Sequence, residues 1–405
     1  TLRIYNEVWE FLSFPYDVNV ADIVPADANT SWVIRKYDGA ARANGESGAT
    51  WVDMTVDSVL HAGIGYIWQA YTPDEIYSTF TIPAQNGVNK NLIFAHEHRS
   101  VALEEHLAEF SHNRSWNLIS NPYPCFYDTR FMEFNAPITV WNSGESTYEA
   151  YSLVDDEYIL RPGEAFFVQR PVDMAAIGFP TEGRQTDMTA RTLSYAPKMG
   201  AMAEQTREVF NLSLTDGKRT DRTRFVINEA ASTVYDMATD AGKFESTDKT
   251  VAQLYTLENG VRMAINERPM GNGRVALGLY IGNAGSYTLT LNTRSTMDVL
   301  LIDHFTGTTT DLTRGAYAFT AESGIDENRF EIRLSHKATG IDDMNDAKKS
   351  AVTTVNGTIK VDIDAAADIT VYTMDGKVVA TTHASSASFE VASGLYVVTV
   401  DGQSY

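Results

Sequence analysis

The stretch WNLISNPY at 116–123 restates WEFLSFPY at 9–16, matching at the Trp, Ser, Pro and Tyr positions. Further on, LRPGEAFFVQ at 160–169 restates LHAGIGYIWQ at 60–69. The landmarks shared by the two copies are Trp9 with Trp116, Pro15 with Pro122, and Gly63 with Gly163. These are residues a fold needs: Trp fills a β core, Pro fixes φ, and Gly reaches backbone conformations closed to other residues. The offset between copies falls from 107 residues at the Trp pair to 100 at the Gly pair, because YDGAARANGESG at 37–48 is longer than its counterpart NSGES at 142–146. Both segments have the composition of hairpin loops. A lone unit of about 80 residues with one apolar face buries it poorly, whereas two copies can cover each other.

Around these landmarks, short apolar and aromatic runs separated by Gly, Asn, Asp and Ser predict antiparallel strands: WEFLSF, SWVIRKY, TWVDMTV, GYIWQAY and STFTI, then WNLIS, ITVWN, YEAYS and EAFFVQ. A further strand is expected at 91–94. SVALEEHLAEF at 100–110 reads as a helix capped by Ser100, with Leu103, Leu107 and Phe110 on one face. After a polar linker at 181–204, the short strands VFNLSL, RFVIN, AQLYTL, VRMAIN, VALGLYI, YTLTL, VLLID, AYAFTA and RFEIRL predict a β-sandwich. One interruption, ASTVYDMATDAGKF at 231–244, has helical character. A second linker at 335–351 precedes a small β unit in which MDGK at 374–377 is a hairpin turn. The expected architecture is all-β. A duplicated antiparallel unit at 1–190 (first copy about 1–95, second about 113–185) is followed by a sandwich at 205–336 and a small Ig-like sandwich at 350–405.

Composition narrows the partners. Across 405 residues, 43% are apolar and 11% aromatic, enough for several packed cores. The 53 acidic residues against 32 basic ones leave a net charge of −21, which repels phosphate backbones and argues against nucleic acid as a partner. No apolar run approaches the ~20 residues of a membrane span. The lone Cys125 reads as a buried structural thiol. Because the sequence opens directly in TLRIYNEVWEFLSF, a removed leader or a start within a longer chain is expected.

In the last unit TVNGTIKV, ITVYTMDGKVV and ASGLYVVTVDG occur in an order and spacing that resemble a Bacteroidetes C-terminal sorting domain of the type IX secretion kind. The segments WNLISNPYPCFYD, LRPGEAFFVQRP and LTDGKRTDRTRFVINEAASTVYDMATDAGKFES resemble recurrent β modules of large Bacteroidetes cell-surface proteins. The resemblance implies secretion or display on the outer-membrane surface and identifies no ligand. The family's short basic final strand has no counterpart before Tyr405.

Candidate chemistry is sparse. Trp51, Tyr148 and Tyr37 flank the hairpin loops and are expected to be exposed, where an aromatic face can stack on a sugar ring. Asp236 and Asp240, with Asp216 and Asp221, offer oxygen ligands to a structural calcium. His96 and His98 could share a metal with His106 or His112. No phosphate-binding loop, nucleophile elbow or zinc-helix motif occurs, and the carboxylate pairs at 104–105, 155–157 and 342–343 are too common to single out. The reading is a monomeric, non-enzymatic module for adhesion or presentation, expected to be the C-terminal part of a larger surface protein, that takes a host or bacterial surface glycan or protein and needs no cofactor, with calcium only in a structural role. Its alternative is a carbohydrate-binding module, and third comes a glycoside-active enzyme.

Overall fold

A computed structural model of the chain describes residues 1–45, 50–82, 97–188, 207–336, 351–355, 357–392, 394–400 and 403–404. The strand expected at 91–94, and most of both expected linkers, lie outside the described residues. Thr1–Ser335 packs as one compact unit and His336–Tyr405 as another. The protein is all-β, and among the described residues no helix is long and apolar enough to cross a membrane.

The duplication is present in three dimensions. In the first copy the strands Glu10–Leu12, Tyr66–Tyr71, Ser31–Tyr37 and Trp51–Asp53 hydrogen-bond in that order. In the second, Trp116–Ser120, Ala165–Gln169, Ile138–Asn142 and Thr147–Tyr151 repeat the order. A short 3-10 turn follows the proline motif in each, at Val20–Asp22 and Thr129–Phe131.

The copies meet through matched contacts. Ser13 donates its N–H to the Gly163 carbonyl at 2.8 Å, and its counterpart Ser120 donates to Gly63 at 2.9 Å. Isolated bridges pair Leu12 with Glu164 and Ile64 with Ile119, again at equivalent positions. The landmark glycines sit at φ +81° and +70°, backbone that L side chains rarely adopt, and each presents its carbonyl to the other copy. The interface is therefore a pseudo-two-fold one inside a single chain.

Two expected helices are absent. Within 100–110 the chain forms the strand Arg99–Ala102, which pairs with Ala176–Phe179, and no helix follows before the short 3-10 turn Ser111–Asn113. Leu2–Tyr5 occupies the matching place in the first copy, pairing with Tyr77–Thr81. The second copy thus begins at Arg99, upstream of 113. Tertiary pairing overrides the local periodicity of a segment whose supposed apolar face includes Leu107 and Phe110, both exposed at 71% and 58%. Residues 231–244 form turns and the two-residue strand Ala241–Gly242: the Asp236 and Asp240 carboxylates take the N–H groups of Ala238 and Asp236 within the segment, and Asp240 also ties it to the Glu267 N–H.

The sandwich is one eleven-stranded hydrogen-bonded sheet running from Thr308–Asp311 to Tyr317–Ala321, with Ala241–Gly242 paired to one side. Those two end strands are consecutive in the chain and meet where the Thr308 and Tyr317 hydroxyls hydrogen-bond at 3.2 Å. Alternation along the strands builds the core: in Glu208–Thr215, residues Phe210, Leu212 and Leu214 point in and their neighbours do not. In the C-terminal unit, Thr358–Thr373 pairs with Val378–Glu390, and MDGK forms the turn between them with Gly376 at φ +82°. Ile359, Val361, Ile369, Val371, Val398 and Val400 form its core.

Candidate functional site

The aromatic residues expected to face solvent instead close the contact between the two copies. Tyr37 and Tyr148 are buried at 7% exposure each, and Trp51 is half-buried. They pack with Phe11, Trp116, Trp141 and Phe167, and the sandwich contributes Phe244 to the same cluster. All three lie on strands, and the strand faces they belong to are covered by the other copy. Loop 37–48 begins as a short helix, Gly39–Ala43, capped by the Asp38 carboxylate. From it Arg42 reaches over the Phe244 ring at 4.1 Å and the Trp116 ring at 5.0 Å. Burial pushes the Tyr37 hydroxyl up to about 12. Trp51, Tyr148 and Tyr37 are structural, and the expectation that they offer sugar platforms is corrected.

The metal candidates do not converge either. Asp240 accepts the backbone N–H of Asp236 at 2.8 Å and that of Glu267 at 2.8 Å, while Asp236 caps Ala238. Asp216 accepts the N–H groups of Lys218 and Arg219. Asp221 is buried against Lys243 at 2.6 Å. His98, His106 and His112 sit apart, beside Glu133, Glu104 and Tyr235 respectively, and His96 lies outside the described residues. Among the described residues no group of three His, Cys, Asp or Glu can hold a metal ion.

Asp240 sets a pH dependence. Burial, followed by the Asp236 and Glu267 charges, lifts its carboxyl to about 7, against an ordinary value of about 4. The folded state therefore binds the proton more tightly than the unfolded chain. This group's contribution is full below pH ~4 and is lost as pH rises to about 7, with no further change above. Melting between pH 4.5 and 8 is expected to show that decline, and Asp240→Asn to flatten it; an unchanged slope in the variant would remove Asp240 as its source.

What the sequence left unremarked is a cleft of about 510 Å³ where the second copy meets the sandwich. One wall comes from the edge strand Thr147–Tyr151 and Asp156, the other from Glu208–Thr215, Thr220–Ile227 and Asn292. Ion pairs clamp the walls. Arg224 grips Asp156 with two bonds of 2.6 and 2.8 Å, and Arg207 bridges Asp155 at 2.7 Å and Glu267 at 2.6 Å. Glu145 accepts the Thr220 N–H at 2.6 Å, and Ser246 donates to the Ser146 carbonyl at 2.6 Å. Such bidentate, partly buried pairs fix register as well as adding attraction.

Within the cleft Glu149 is already occupied: Asn142 donates to one oxygen at 2.9 Å and the Tyr151 hydroxyl to the other at 2.5 Å. Burial and then the Glu149 charge hold the Tyr151 hydroxyl above its usual range. Arg222 is the loosely held charge. Its side chain is 61% exposed and comes no closer than 4.0 Å to Glu149, its ion-pair partner among the described residues.

Residues 125–334 match a domain of unknown function (DUF8693). The chain belongs to this family. The matched segment contains both walls of the cleft and every ion pair that clamps them, and it leaves the first copy of the duplication outside. No curated protein matches the sequence. A solved structure of a biofilm-associated protein's BSP domain aligns over 99% of this chain and 94% of its own at 9% identity, with a TM-score of 0.11, and carries no argument about fold or function.

The clamp was not legible beforehand. Asp155 and Asp156 belong to a DDE run set aside as uninformative, and their partners Arg207 and Arg224 lie 52 and 68 residues away. Only topology brings them together. The alternation in TDRTRFVI, which sets Arg222 and Arg224 on the face opposite Asp221, Thr223 and Phe225, was the available signal that both arginines face outward from the sandwich core.

Proposed function

We propose that the chain is a non-catalytic, cell-surface or secreted module for adhesion or presentation, exported through its C-terminal unit. The observation that carries this reading is the cleft itself: a solvent-open, polar site whose walls are locked to one another, with its carboxylates already engaged by donors. Glu149 and Asp156 are held by Asn142, Tyr151 and Arg224, an arrangement suited to fixing a binding face; a working acid and base would need freedom to exchange protons with a substrate. The resemblance of TVNGTIKV, ITVYTMDGKVV and ASGLYVVTVDG to a Bacteroidetes sorting domain supports export. A carbohydrate-binding role is the second reading, favoured by the amide, hydroxyl and arginine side chains lining the cleft.

Two measurements test it. Protease shaving of intact producing cells should remove this chain while cytoplasmic markers survive; protection from the protease would overturn surface display. Mass spectrometry of glycans incubated with the purified chain should recover them intact, and cleaved products would make it an enzyme.

A further inference from the structure

We infer that the cleft between the second copy and the sandwich takes a carboxylated sugar, a hexuronate unit of an acidic glycan, with Arg222 as the group that holds the carboxylate. This rests on the binding role proposed above and specifies its ligand. Four charged side chains line the cleft, two of each sign, and three of them are already committed. Asp156 and Arg224 neutralise each other through their two bonds, and Glu149 is satisfied by Asn142 and Tyr151. The remaining charge is the Arg222 guanidinium, exposed and 4.0 Å from a carboxylate that already has closer donors. A planar fork of donors with no close partner suits a carboxylate, which it can bind through two parallel hydrogen bonds.

The remaining lining suits a polyhydroxylated ring. Asn211 gives its side-chain oxygen to Arg224, and its amide nitrogen has no partner among the described residues. Asn292, which also lines the cleft, donates to the Ser213 hydroxyl at 2.9 Å. Ala150 and the half-buried Tyr151 ring supply an apolar patch for the C–H face of a sugar. A volume of about 510 Å³ falls within the ~300–1,000 Å³ usual for small-ligand sites.

The test is calorimetry on the full chain with paired ligands that differ in one group: galacturonate and glucuronate trisaccharides against galactose and glucose trisaccharides, with glutarate and an oligoglutamate peptide as carboxylates lacking a ring. The uronate ligands should bind, and each neutral twin should bind at least tenfold more weakly. Arg222→Gln should weaken uronate binding at least tenfold, Arg222→Lys should restore part of it, and neither should move Tm. Equal binding of neutral and acidic sugars, or uronate binding indifferent to Arg222→Gln, would overturn the carboxylate anchor. Equal or tighter binding of glutarate or the peptide would overturn the sugar, and no binding by any uronate would overturn the inference as a whole. Protease shaving is independent of all these outcomes, so the surface role stands or falls separately.

Discussion

Lys243→Met is expected to destabilise the first unit by about 3–5 kcal/mol, because it leaves the Asp221 carboxylate buried without its counter-charge. The pair is sealed from solvent, with side-chain exposures of 1% and 0%. Asp221 also accepts the Leu254 N–H at 2.7 Å, so it cannot turn toward water without leaving that donor orphaned. Its second oxygen has no hydrogen-bond partner among the described residues. Burial already raises the Asp221 carboxyl above its ordinary value, against the pull of Lys243. Removing that pull raises it further, so the variant's deficit should be smallest at low pH and grow as pH rises through neutrality. The double variant Lys243→Met with Asp221→Asn should recover most of the loss, since the amide oxygen still accepts from Leu254 and no charge remains. Urea melts of the wild type and the variants decide it; a double variant as unstable as the single one would show that packing of the lysine stem, and not its charge, carries the effect.

Phe244→Ala is the second large effect, with an expected loss of about 3–5 kcal/mol for a buried phenylalanine truncated to a cavity. Phe244 is the side chain that the sandwich inserts into the aromatic cluster of the duplicated unit, 4.5 Å from the Phe167 ring centroid and 4.8 Å from that of Trp116. It also forms one face of the slot that holds the Arg42 guanidinium, so its removal exposes a half-caged cation to a void. Trp116 should report this directly, through a shift of its fluorescence before the main unfolding transition. Phe244→Leu should retain more than half of the stability. If Phe244→Ala melted within about 1 °C of the wild type, the effect of less than ~1 kcal/mol in a unit of this size, the cluster would not be what joins sandwich to duplication.

The duplication was legible because the residues that recur are ones whose backbone and packing roles are position-specific. Gly63 and Gly163 both require positive φ, and Trp9 stands just before the strand Glu10–Leu12 where Trp116 opens Trp116–Ser120. Strand alternation likewise announced the sandwich. The 100–110 segment misled because its apolar spacing suits a helix, while the duplication itself held the correction: Leu2–Tyr5 precedes Trp9 as a strand, and Arg99–Ala102 stands before Trp116 in the same way. Burial of Tyr37, Trp51 and Tyr148 could not be read from the sequence, since proximity to a polar loop says nothing about a face that another part of the chain covers. The cleft was illegible for a related reason. Its charges neutralise one another across 52 to 68 residues of sequence, and no local pattern records which arginine is left without a close partner.

The reciprocal hydrogen bonds from Ser13 to Gly163 and from Ser120 to Gly63 are those an isologous homodimer would make. Joining both halves covalently makes the association independent of protein concentration, since each half meets the other at a fixed effective molarity. It also frees the halves from having to stay identical. In a homodimer any residue that gripped the sandwich would appear twice, once usefully and once on a bare face; here Asp155 and Asp156 have Thr55 and Val56 at the matching positions of the first half. Dilution should therefore leave the paired halves intact at concentrations where two separate chains with the same interface would part.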